Sequence, residues 1–93
     1  MRLAYRAYKN SIKPELRLPG LDLTDDQLFF VGMSHFHCGL FSEDSALFRL
    51  RTDTHAISEF RVIGTMSNSR DFAEAFNCPV GSPMNPEEKC EIW

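Results

Sequence analysis

The stretch "LTDDQLFFVGMSHFHC", Leu23–Cys38, decides how this chain is organised. Thr24 and Gln27 form a T-x-x-Q capping box, in which each side chain satisfies the other's orphan backbone N–H. Asp25 and Asp26 fall in the positive first turn, and Leu23 is spaced to staple onto Leu28. A helix from Asp25 to about His37 follows. Its apolar residues, Leu28, Phe29, Phe30, Val31, Met33 and Phe36, are spread nearly all round the helix. Such a helix is normally covered on more than one side. A chain of 93 residues buries only about 60–65% of its unfolded surface, so it can hardly cover this one.

Working outward, Gly39 stops that helix, and Ser42 with Glu43 and Asp44 opens a shorter one ending near Arg49 and Arg51. On the N-terminal side, "LPG" at Leu18–Gly20 is a turn. Before it, "YRAYKNSIK" places Ala4, Tyr8 and Ile12 on one helical stripe that Pro14 ends. "FRVIGTM", Phe60–Met66, is rich in β-branched residues and is expected to be extended, with Gly64 as a bend. Asn68 is expected to cap a last helix carrying Phe72, Ala73 and Phe76 on one face. From Pro79 to Trp93, prolines and Gly81 make a loop-rich tail. The fold class is mainly α, with three to four helices, one short extended segment and that tail.

Composition removes several functions. A net charge of -3 offers no basic stripe for nucleic acid or an anionic membrane. The 43% of hydrophobic residues, including 8 Phe, exclude a disordered chain. No apolar run approaches the ~18 residues of a membrane span, and "MRLAYRAYKN" has no apolar run after its charge, so it is not a secretory signal. Three cysteines, Cys38, Cys78 and Cys90, cannot all pair with one another. They are either buried thiols of a cytosolic protein, or at least one pairs with a cysteine elsewhere.

The candidate chemistry lies in "TDTHAISEFRVIGT", Thr52–Thr65, where Asp53, His55 and Arg61 interrupt small and apolar residues. Taken alone, His55 is a surface-loop histidine and Arg61 a solvated charge. "SHFHC" offers His35, His37 and Cys38, but helical His35 and His37 point roughly 200° apart and cannot hold one ion. His35 with Cys38 could, at i, i+3. No metal ligand is assigned.

The ordered words "AYRAY", "LPGLDLTDDQLFF", "TDTHAISEFRVIGT", "SNSRDFAEAFNCP" and "MNPEEKCEIW" cover nearly all of the chain. Together they resemble the C-terminal end of the neprilysin and endothelin-converting-enzyme family of zinc metalloendopeptidases. The resemblance implies that residues 1–93 are the C-terminal portion of a larger, mostly helical, thermolysin-like catalytic domain. In that family zinc is held by an H-E-x-x-H helix and a later glutamate, none of which matches here. Zinc is therefore expected in the complete enzyme and not on this chain, which alone is expected to be inactive.

By resemblance, His55 corresponds to the histidine that hydrogen-bonds the oxyanion, Asp53 to an acid orienting it, and Arg61 to the arginine holding a substrate carbonyl. Phe36 and His37 correspond to residues lining the pocket for the side chain after the scissile bond. His37 departs from the commoner aromatic there, and "GLFSEDSALF" departs from the family's usual loop. Cys38, Cys78 and Cys90 correspond to cysteines that bridge to partners upstream, implying an extracellular or membrane-anchored ectodomain. The implied partners are oligopeptide substrates, cut on the amino side of hydrophobic residues, and the remainder of the peptidase chain. Neither nucleic acid nor membrane contact is expected of this segment. The competing reading is a stand-alone, non-catalytic binding module derived from such a peptidase.

Overall fold

A computed structural model describes residues 1–11 and 17–90. Among these, five helices follow one another: α1 (Arg2–Ser11), α2 (Asp25–Phe36), α3 (Glu43–Thr52), α4 (Ser58–Ser67) and α5 (Arg70–Ala75). The described residues hold no strand beyond one isolated bridge between Ser82 and Asn85. The mainly helical class is as expected. Ile12, Pro14 and Trp93, with the helix stop assigned to Pro14, lie outside the described residues.

The α2 start is the expected capping box. Thr24 Oγ1 accepts from the Gln27 N–H at 3.2 Å, and Gln27 Oε1 accepts from the Thr24 N–H at 3.0 Å. The same Gln27 amide then donates to the Ala75 carbonyl at 2.9 Å, closing the C-terminal end of α5. One side chain thus satisfies orphan groups at opposite ends of two helices.

Phe30, 1% exposed, is the centre of the core. Its ring stacks on Tyr5 at 5.2 Å and meets Phe29 and Phe72 edge-on at 5.3 and 5.4 Å. Tyr8 packs on Phe29 at 4.9 Å, and Phe76 on Phe72 at 4.8 Å. The Tyr8 hydroxyl donates to the Asp25 carbonyl at 2.8 Å, and Lys9 pairs with Asp26 at 2.9 Å. Tyr5 and Tyr8 therefore carry the contact of α1 with α2. Ala4, placed on the apolar stripe with Tyr8 from the sequence, is exposed.

Two expectations are corrected. Phe60–Met66 is helical, lying within α4. Val62 and Ile63 favour a strand locally, but the helix sets α4 beside α5 and buries Met66, 3% exposed. Its sulfur accepts from the Ser34 hydroxyl of α2 at 3.8 Å. The second correction concerns the α5 cap. Ser69, with extended backbone, caps through Oγ to the Phe72 N–H at 3.1 Å, while Asn68 closes α4. Asn68 Nδ2 donates back to the Gly64 carbonyl at 2.8 Å, and its Oδ1 accepts from the Cys90 N–H at 2.7 Å.

α5 ends in a Schellman motif. Asn77 takes the left-handed backbone at φ 51°, Cys78 N–H donates to the Ala73 carbonyl at 2.8 Å, and Asn77 N–H to the Glu74 carbonyl at 3.2 Å. The tail folds back from there. Buried Asn85 donates to the Cys78 carbonyl at 2.7 Å, and Lys89 donates to the Ser67 carbonyl at the end of α4.

The solvent-accessible surface is 7509 Å², roughly 2,000 Å² more than a compact monomer of this mass shows. The radius of gyration, 15.4 Å, likewise exceeds the ~12 Å of a compact chain of this length. The excess includes large apolar side chains: Phe36, Leu40, Phe48, Leu50 and Phe60 are all more than half exposed. α3 buries no residue at all.

Candidate functional site

Asp53 stands at the C-cap of α3, its backbone extended and its N–H bonded to the Arg49 carbonyl at 2.8 Å. The chain then turns through His55 and Ile57 into α4. Asp53 Oδ1 accepts from the His55 backbone N–H at 2.9 Å and faces His55 Nδ1 at 3.0 Å. This is an Asx-turn, in which a short side chain replaces the helix ladder that has just ended. An ionised carboxylate only accepts, so Nδ1 carries the proton toward Asp53, and Nε2 is the atom left for a ligand.

The Asp53 carboxyl is held below the usual carboxylate range, first by the His55 backbone N–H, then by the His55 ring, with Arg49 adding to both. Arg49 Nη1 lies 3.9 Å from Asp53 Oδ2, and its guanidinium lies over the Phe41 ring at 4.6 Å. Sequence reasoning missed Arg49 and Phe41. The i, i+4 spacing of Arg49 and Asp53 on one helix face was the available signal for the first, and no local signal points to the second.

His55 and its neighbours Ser45, Phe48, Arg49, Thr52, Asp53 and Thr54 line an open concavity on α3. Arg61 is exposed in α4, its N–H bonded to the Ile57 carbonyl at 3.1 Å. Among the described residues, no ion pair or hydrogen bond joins Arg61 to Asp53 or His55. Phe36 ends α2 and is 86% exposed, its ring edge-on to that of half-buried His37 at 5.2 Å. The α2–α3 connection brings this end toward the others. A β-carbon on Gly39 would stand 3.4 Å from the Phe41 ring and 3.9 Å from Ser58 Oγ, at the start of α4. The α2–α3 connection at Gly39 therefore approaches the beginning of α4 at Ser58, and Phe41 on the same connection meets the Arg49 guanidinium of α3.

Cys38 and Cys90 are exposed thiols and Cys78 is half-buried; none forms a disulfide within the described residues. Among the same residues, no three His, Cys, Asp or Glu side chains converge with the spacing of a metal site. No described helix is long and apolar enough to cross a membrane.

Comparison with known proteins covers almost the entire chain. The profile described as peptidase family M13 matches residues 1–92. Endothelin-converting enzyme 1 of Rattus norvegicus is 50% identical over 96 aligned residues, spanning 100% of this chain and 13% of that protein. Neprilysin of Homo sapiens is 48% identical over 97% of this chain and 12% of its own length. Neprilysin-2 of Drosophila melanogaster is 47% identical over 98% and 12%, respectively. The chain thus spans 12–13% of the length of these relatives.

Proposed function

We propose, from the premise that this chain belongs to peptidase family M13, a family of metallopeptidases, that it is the C-terminal portion of a zinc-dependent endopeptidase domain. Its part is to bind and orient an oligopeptide and to stabilise the transition state, a division supported by the lack of any group of three metal-ligating side chains among the described residues. The observation that carries this reading is the Asp53–His55 turn, which ties up Nδ1 and leaves Nε2 for substrate.

His55 stabilises the oxyanion by donating from Nε2. With Nδ1–H committed to Asp53, that donation requires the doubly protonated ring, and the Asp53 carboxylate is the countercharge beside it. A donor aimed at developing negative charge in a site closed to water lowers the barrier by roughly 3–4 kcal/mol. His55 is exposed in this chain, so exclusion of water falls to the remainder of the domain. Arg61 grips a backbone carbonyl of the substrate with its planar fork, fixing register. Phe36 and His37 line the pocket for the hydrophobic residue on the carboxyl side of the cut. The excess surface of roughly 2,000 Å² is what this reading assigns to the remainder of the peptidase chain. Cys38, Cys78 and Cys90 bridge to partners there, placing the domain outside the cytosol.

The exposed apolar side chains also favour a second reading, a stand-alone binding module without catalysis. Intact mass of the native protein, captured through "MNPEEKCEIW" with and without reductant, separates the two. A mass several times 10.7 kDa is expected; a native mass of 10.7 kDa selects the module. The purified chain with added zinc is expected to leave a quenched peptide uncut. Chelator-sensitive turnover overturns that division of labour.

A further inference from the structure

We infer that Arg49, braced by the Phe41 ring, is a positioning residue that holds the Asp53 carboxylate in the orientation that orders His55. The two oxygens of Asp53 have separate tasks. Oδ1 receives both contacts from His55, while Oδ2 faces Arg49 Nη1 at 3.9 Å. Left to itself, a carboxylate beside a chain turn rotates about its last torsion, which has broad wells. A cation held on the Oδ2 side opposes that rotation.

The guanidinium is itself supported, because its central carbon lies over the Phe41 ring, 4.6 Å from the centroid. Phe41 in turn stands on the α2–α3 connection, where its ring approaches Gly39, near Ser58 of α4. The order of contact runs from Phe41 to Arg49 to Asp53 to His55 and joins the elements carrying Phe36, His37 and Arg61. Arginine suits the middle place better than lysine. Its extended planar group can meet a ring and a carboxylate at once, whereas a lysine ammonium is a compact point charge. The alternative role for Arg49, a cation that merely complements the C-terminal end of the α3 dipole, needs no stacking and is met equally by lysine. The catalytic meaning of this arrangement rests on the peptidase reading; the geometry does not.

The test compares the 93-residue chain with Arg49→Gln, Arg49→Lys and Phe41→Leu, using ¹⁵N resonances of the His55 ring and the acid titration of the Asp53 carboxyl. The amides of Thr24 and Gln27 report that the fold is intact. In Arg49→Gln, the Nδ1–H form of neutral His55 is expected to fall about twofold, and the Asp53 titration to move up. Phe41→Leu and Arg49→Lys should each give part of that loss. Unchanged His55 resonances in Arg49→Gln overturn the inference, and full retention in Arg49→Lys reduces Arg49 to a dipole charge and overturns it equally. The same substitutions placed in the complete enzyme should lower kcat with KM unchanged. Altered His55 resonances with unaltered kcat would leave the positioning intact and remove the peptidase role of His55.

Discussion

The aromatic cluster of α1, α2 and α5 and the arm formed by α3 and the start of α4 are built on opposite principles. In the cluster, Phe30 is 1% exposed and five other rings surround it directly or through a neighbour. In the arm, α3 buries nothing, and Phe48 and Phe60 stand 67% and 60% exposed. Yet the arm carries Asp53, His55 and Arg61. The part of the chain that holds itself together is not the part that carries the candidate chemistry, and the latter is ordered by polar turns and one arginine set over a ring. On the proposed reading, residues that meet a substrate and surfaces that meet the remainder of a domain are kept out of an internal core.

The largest effects that would break this contrast are in the core and at His55. Phe30→Ala should cost about 3–5 kcal/mol and abolish cooperative unfolding of the isolated chain, as followed by circular dichroism in urea. Phe48→Ala, at an exposed position, should change stability by less than about 0.5 kcal/mol in the same assay. Equal losses would show that α3 is packed in solution. In the complete enzyme, His55→Ala should lower kcat about 10²- to 10³-fold, while Arg61→Ala should chiefly raise KM. Small and equal effects on hydrolysis would remove both from the site.

Smaller effects sharpen the boundary between the two regions. Asn77 holds the left-handed backbone that closes α5 on the cluster side. Asn77→Ala should destabilise by about 1 kcal/mol and Asn77→Gly should not, as read from urea midpoints. The smallest change is electrostatic. Because folding depresses the Asp53 carboxyl, its contribution is present above the ordinary carboxylate range and is lost as pH falls through the folded value. Acidification should therefore release the His55 backbone N–H, seen as its amide resonance moving, before the aromatic cluster responds. Simultaneous loss of both regions would mean that they are not separable.

Proton release at the other end of the scale belongs to the cluster. Burial, then the nearby Asp26 carboxylate, push the Tyr5 phenol well above its ordinary value. Its contribution is present below the ordinary tyrosine range and is lost as pH rises through the folded value. The two regions thus fail on opposite sides of neutrality.

What the sequence determined by itself was local. The Thr24–Gln27 box, the Ser42 cap and the Leu18–Gly20 turn each involve groups three or fewer residues apart, so pattern and structure coincide there. The mainly helical class and the presence of a helix too apolar for so short a chain were legible for the same reason. The Asp53–His55 turn was visible as two residues in one segment, though the doubly used Oδ1 was not. Tertiary structure decided the rest. Val62 and Ile63 favour extended backbone, and burial of Met66 beside α5 overrides that weak preference. Gln27 reaches Ala75 across 48 residues, and Arg49 finds a support in Phe41, because folding brings together groups whose separation along the chain carries no periodic signal.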